Sequence, residues 1–179
     1  MRRTLFTFAL ALTAFIGMSF ANPDPVETSK KVDEHGLTWY TKIGEAHSAS
    51  KTSNKPIFAF FTGSDWCGWC IKLQKDVFAK EAFISWAKDN VILLELDFPR
   101  RKQLPADLKQ QNQNLQRVLG VRGYPTVWII NTALDQATNN LNIAALGSLG
   151  YPSGATKGKE EVLFLSNANK ILANGKKSQ

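Results

Sequence analysis

A chain of 179 residues, 44% hydrophobic and with only two cysteines, can bury one substantial core without disulfide staples or a structural metal. Its formal charge of +7 is dispersed except at Arg100-Arg101-Lys102 and Lys176-Lys177. No nucleic-acid-binding motif accompanies those charges, so they read as solvated surface and no nucleic-acid partner is expected.

The first 21 residues predict a signal peptide. Arg2 and Arg3 form a positive start, Leu5 to Met18 is apolar and uncharged, and Ser19-Phe20-Ala21 places small residues at a cleavage site. The run is shorter than the ~20 residues needed to cross a bilayer. Cleavage near Ala21 delivers a periplasmic or otherwise secreted protein, and loss of Arg2 and Arg3 lowers the charge from +7 to +5. Export puts both cysteines where disulfides persist.

Residues 22–36 are polar, carry Pro23 and Pro25, and predict a flexible lead-in to a domain over 37–175. Leu37 to Ile43 alternates as a short strand, and a helix follows from Gly44 to Ser53, stopped by Asn54-Lys55-Pro56. Ile57-Phe58-Ala59-Phe60-Phe61 is an unbroken apolar run, the signature of a central strand covered on both faces. After Thr62-Gly63-Ser64-Asp65, a helix begins near Cys67 and continues after a bend through Phe83, Ile84 and Trp86. Val91 to Leu94 is a second buried strand, parallel to the first.

Phe98 to Pro105 reads as a basic loop and Ala106 to Leu119 as an amphipathic helix ended by Gly120. Thr126 to Ile130 and Leu141 to Leu146 are strands joined by a long turn from Thr132 to Asn140. A last helix from Lys159 to Leu172 offers Val162, Leu165, Ala168, Ile171 and Leu172 as its buried stripe. The order is β-α-β-α-β-α-β-β-α, an α/β fold.

Cys67 and Cys70 stand where a turn enters a helix, and i, i+3 positions share a helix face. Three readings compete. A structural disulfide closing so short a loop removes only ~2 kcal/mol of unfolded-chain entropy. A metal site needs more ligands than His35 and His47 supply, and their spacing fits no zinc pattern. Redox chemistry fits best: the sulfurs reach bonding distance with a small adjustment, and a helix N-terminus stabilises the thiolate that attacks disulfides. No metal or other cofactor is expected beyond the cysteine pair.

Asp65-Trp66-Cys67-Gly68-Trp69-Cys70 resembles the thioredoxin active site, with Trp69 where thioredoxin has proline. Gly120-Val121-Arg122-Gly123-Tyr124-Pro125-Thr126 resembles the segment that carries its cis-proline. Together with Phe61 to Trp66 and the Asp97-Phe98-Pro99-Arg100 loop, the pattern is similar to the exported bacterial thioredoxin-like subfamily over Leu37 to Leu172.

The resemblance implies a central mixed sheet flanked by helices on both faces. Cys67 would attack and Cys70 would resolve. Pro125 would be cis and face the sulfurs, and the Tyr124 backbone would pair with an extended substrate. Trp66, Gly68, Trp69, Tyr124 and Pro125 would form the substrate surface. One departure stands out: the stretch that carries a buried aspartate in thioredoxin reads Phe58-Ala59-Phe60-Phe61, and Leu93 replaces its lysine partner. Ala59, Phe60 and Leu93 are then expected beneath the cysteines, with Glu95 and Asp97 as the nearest proton-relay candidates.

No His or Lys lies between the cysteines to stabilise the Cys67 thiolate strongly, and Asp65 opposes it, which favours a reductase, with oxidase and isomerase as the alternatives. The expected partners are exported proteins with disulfides or thiols and a membrane thiol–disulfide electron donor, and the expected state is a monomer. The other class of function is a peptide-binding or chaperone-like module with an inert disulfide.

Overall fold

The computed structural model describes residues 29–177. The signal peptide over 1–21 and its cleavage near Ala21 lie outside the described residues, as does the start of the 22–36 lead-in.

Six strands form one sheet: β1 (Lys30–Val32), β2 (Thr38–Tyr40), β3 (Ile57–Thr62), β4 (Ile92–Asp97), β5 (Thr126–Leu134) and β6 (Leu141–Leu149), in the order β1-β2-β4-β3-β5-β6. The sheet is mixed. β4 runs parallel to β2 and β3, while the β1–β2, β3–β5 and β5–β6 pairs are antiparallel. The helices are α1 (Ile43–Ser53), α2 (Gly68–Leu73), α3 (Glu81–Asn90), α4 (Ala106–Val118) and α5 (Glu160–Lys177).

The apolar run of β3 is explained by the two cores it divides. Phe58 and Phe60 pack with residues of α2, α3 and α5, whereas Ile57, Ala59 and Phe61 pack with Ala46 of α1 and Leu115 of α4. Strict alternation sends neighbours to opposite faces. This corrects one expectation: Ala59 lies on the far face, and Phe60 and Leu93 share the cysteine face. Phe58, Phe78, Phe83 and Phe164 build that core, with ring centroids 4.6–6.3 Å apart.

The bend after α2 is a π-helical turn, Gln74–Phe78, closed by the Ala79 N–H donating to the Gln74 carbonyl at 2.8 Å. Such a turn kinks a helix without proline. It puts Val77 and Phe78 into the core before Lys80 breaks to extended geometry ahead of α3.

Three expectations are corrected. The 22–36 lead-in is not flexible throughout, because Lys30, Lys31 and Val32 pair with Tyr40, Trp39 and Thr38. Asp33 closes that hairpin: one carboxylate oxygen accepts the His35 and Leu37 N–H groups at 2.9 Å, the other the Trp39 indole N–H. The strand is three exposed residues held by backbone bonds, so no apolar period announces it.

The long turn after β5 is shorter than expected. Thr132 and Leu134 pair with Ile143 and Leu141, and Asp135 closes residues 135–140 by accepting the Ala137 and Thr138 N–H groups. On α5, Val162 is 58% exposed, and the stripe is centred on Phe164 and Ala168, with Leu165, Ile171 and Leu172 packed at its edges. Val162, six residues before Ala168, lies about 120° round the helix from it.

Candidate active site

The Gly63 carbonyl at the end of β3 accepts the Trp66 N–H at 3.2 Å and the Cys67 N–H at 2.8 Å, which turns the chain into α2. Gly63 is required there because a Cβ would run into the Trp66 indole. Cys67 caps α2, and the Cys70 N–H points at its sulfur, 3.2 Å away. The two cysteines are joined, with S–S 2.08 Å and Cα atoms 5.2 Å apart. Cys67 is 5% exposed and Cys70 is fully buried, so Cys67 is the more accessible sulfur. In the reduced protein the Cys70 N–H supplies a donor to a Cys67 thiolate.

Trp66 is the joint of the site. Its indole N–H donates to the Phe98 carbonyl at 2.7 Å, and its ring lies edge-on to Tyr124 with centroids 5.8 Å apart. The Arg100 guanidinium covers it at 3.8 Å. The Asp65 carboxylate accepts the backbone N–H groups of Arg100 (3.0 Å) and Arg101 (2.7 Å), locking the 98–102 loop to the motif. The Arg100 N–H holds the Asp65 carboxyl below the usual carboxylate range; desolvation opposes it, and the Arg101 N–H adds to the lowering.

Across the motif, Gly68 and Trp69 are exposed, Trp69 by 59%. The Trp69 ring meets Tyr151, from the loop after β6, edge to face at 5.1 Å. Tyr151 donates its hydroxyl proton to Asp76 at 2.7 Å, and Lys72 pairs with the same carboxylate. The Lys72 hydrogen bond, seconded by Tyr151, depresses the Asp76 carboxyl, and the Lys72 ammonium is raised by the same contact. The Tyr124–Pro125 peptide bond is cis. Tyr124 packs against both cores and rests on Phe98 at 5.2 Å, and its burial raises its phenol.

Glu95 and Asp97 part company. Glu95 pairs in register with Phe60 on the cysteine face, is 14% exposed, and receives Lys31 through both oxygens at 2.7 Å. It lines a cavity of about 490 Å³ together with Thr62, Ile71, Gln74 and Lys31. The Gln74 amide donates to the Cys70 carbonyl at 3.3 Å, and the buried Thr62 hydroxyl has no partner among the described residues. Asp97 instead accepts the Ser64 N–H at 2.8 Å and hydroxyl at 2.6 Å, with Lys102 at 3.8 Å, and so braces the turn before the motif.

Three site residues escaped sequence reasoning. Lys31 lies in the segment read as a lead-in, and only the β1 pairing reveals it. Tyr151 carries no motif. Arg100 belonged to a basic cluster read as solvated surface, and its place on Trp66 was legible only in the proximity of two charged turns.

A family model described as a thioredoxin-like domain matches residues 43–134, about half of the chain. Disulfide bond reductase DsbH of Chlamydia pneumoniae is 34% identical over 111 residues, covering 62% of this chain and 66% of that protein. Thioredoxin-related protein DsbJ of the same organism is 24% identical over 149 residues, covering 83% of this chain and 41% of that protein. The chain thus spans less than two thirds of either relative.

A solved structure titled DsbH oxidoreductase matches with TM-score 0.62 and 29% identity, covering 87% of this chain and 95% of that one. A thioredoxin from Thermus thermophilus matches with TM-score 0.53 and 15% identity, covering 78% and 89%, a likeness of fold alone. With a mixed sheet between two helical layers, a joined Cys67–Cys70 pair capping a helix and a cis Tyr124–Pro125 bond, the chain belongs to the thioredoxin-like domain family.

Proposed function

We propose that this chain is an exported thiol–disulfide oxidoreductase that reduces disulfides of other exported proteins. The observation that carries the reading is Cys67 at the cap of α2 with the Cys70 N–H on its sulfur. The reaction balances in two exchanges. The Cys67 thiolate attacks one substrate sulfur, forming a mixed disulfide and releasing the other sulfur as a thiolate. Cys70 then loses its proton and attacks the Cys67 sulfur, which restores the Cys67–Cys70 bond and releases the second substrate thiol. Two electrons from a membrane thiol–disulfide donor return the pair to its reduced form.

Glu95 is the proton acceptor in this scheme. It faces α2 across a cavity that also borders Gln74, and Lys31 donates to both its oxygens. Trp66, Gly68, Trp69 and Tyr124 form the surface against which the substrate lies beside Pro125. The motif supports the reducing direction: Gly68-Trp69 places no cation between the cysteines, and Asp65 precedes them.

Equilibration with glutathione tests the direction. The expected potential lies near the roughly −270 mV of reducing pairs, and a value near about −120 mV overturns the reductase assignment. Trapping tests the chemistry: Cys70→Ser is expected to accumulate mixed disulfides with a disulfide-bonded model peptide, and Cys67→Ser is not. Capture by neither variant favours the inert peptide-binding module.

A further inference from the structure

The loop that carries Arg100, Arg101 and Lys102 is built into the motif. The Asp65 carboxylate holds two of its N–H groups, Trp66 donates to its Phe98 carbonyl, and the Arg100 guanidinium lies on the Trp66 ring next to Cys67. Stacking fixes a planar guanidinium at little entropic cost, so its charge has a defined place relative to the disulfide. Arg122 is exposed, in the segment that leads to the cis bond. Among the described residues no carboxylate forms an ion pair with Arg100, Arg101 or Arg122. The nearby carboxylates are already engaged, Asp65 by backbone N–H groups and Asp97 by Ser64. Beside the loop, a hollow of about 260 Å³ is bordered by Arg100, Lys102 and Lys109 and also by Asp97, which already pairs with Lys102 at 3.8 Å.

From this arrangement we infer that the protein selects acidic substrates: carboxylates flanking the target cysteine of a polypeptide lie on Arg100 and Arg101. The inference rests on the oxidoreductase reading and names its substrate class. Acidic flanks repel an incoming thiolate and raise the energy of the departing one. A guanidinium held on the ring of Trp66, the residue before Cys67, offsets both effects as well as steering the encounter.

The test uses the reduced protein and three short peptides, each holding one disulfide flanked by aspartate, serine or lysine. Second-order rate constants are divided by those of dithiothreitol, a neutral reductant, to remove intrinsic differences between the disulfides. At low salt the aspartate peptide is expected to react roughly tenfold faster than the lysine peptide. The ratio should fall toward one near 1 M salt, where the screening length is about 3 Å.

The Arg100→Glu/Arg101→Glu variant is expected to invert the order, with the lysine peptide reacting faster than it does with the wild type. A gain of that kind cannot come from misfolding. Equal normalised rates for the three peptides, or an aspartate preference kept by the variant, overturn the inference while leaving the oxidoreductase reading intact. Failure to reduce any of the peptides removes both.

Discussion

Replacing Gly63 by alanine tests whether Trp66 is wedged between the backbone and the basic loop. A Cβ at Gly63 would lie 2.5 Å from the indole nitrogen and 2.8 Å from Cζ2, with Cε2 closer still. The ring cannot yield freely: Arg100 covers it at 3.8 Å, and its N–H is committed to the Phe98 carbonyl at 2.7 Å. A retreat of about 1 Å stretches that bond past hydrogen-bonding range. Overpacking costs ~1–3 kcal/mol and the lost bond ~0.5–1.5, less the ~0.4–1 that alanine recovers by restricting the unfolded chain. The net expectation is a loss of about 0.5–4 kcal/mol.

Urea titration of the oxidised protein reads this as a lower midpoint at unchanged slope. Hydrogen exchange at the Arg100 and Arg101 amides should quicken as the loop loosens. Gly68→Ala is the control, since its Cβ would meet nothing within 4 Å and a first-turn alanine suits the helix. A Gly63→Ala protein with the wild-type midpoint and unchanged amide protection would refute the wedge.

Three further expectations follow from named contacts. Glu95→Gln should slow substrate reduction at neutral pH by at least about tenfold and make the rate climb through the alkaline range, as solvent takes over from the carboxylate. Asp97→Asn should leave the shape of that pH profile unchanged, because Asp97 braces Ser64; stopped-flow rates against pH separate the two. Phe164→Ala should cost ~3–5 kcal/mol in denaturant titrations, whereas Val162→Ala should stay within about 0.5 kcal/mol. The Asp65 carboxyl is depressed in the folded state, so its stabilising contribution is complete above the unfolded value of about 3.9 and is lost as pH falls through the lower folded value. The stability difference between wild type and Asp65→Asn should therefore hold steady at neutral pH and shrink in strong acid.

Local chemistry made most of the frame legible. Pro56 and Gly63 bracket the β3 run, and its continuous apolarity announces two buried faces. What periodicity cannot supply is phase and partnership. The α5 stripe was legible as a stripe, but Phe164 rather than Val162 faces the core, because both lie close enough to an apolar arc for either phase. β1 is held by main-chain bonds that any polar sequence can make, so it left no signal. At the site, Cys67 and Cys70 were legible from spacing and Pro125 from its flanking segment. Lys31 on Glu95, Arg100 on Trp66 and Tyr151 on Trp69 join residues at least 34 positions apart, and only the folded chain brings them together.

The proposed exchange requires Cys67 as the attacking sulfur and Cys70 as the sheltered one. Treating the reduced protein with limiting iodoacetamide and mapping the adduct by mass spectrometry measures this directly. Cys67, the cap of α2 and the less buried sulfur, is expected to carry nearly all of the label, and its reaction should remain appreciable below the ordinary thiol range of about 8.5 because the Cys70 N–H favours the thiolate. Predominant labelling of Cys70, or a Cys67 that reacts only as an unperturbed thiol, would contradict the assignment.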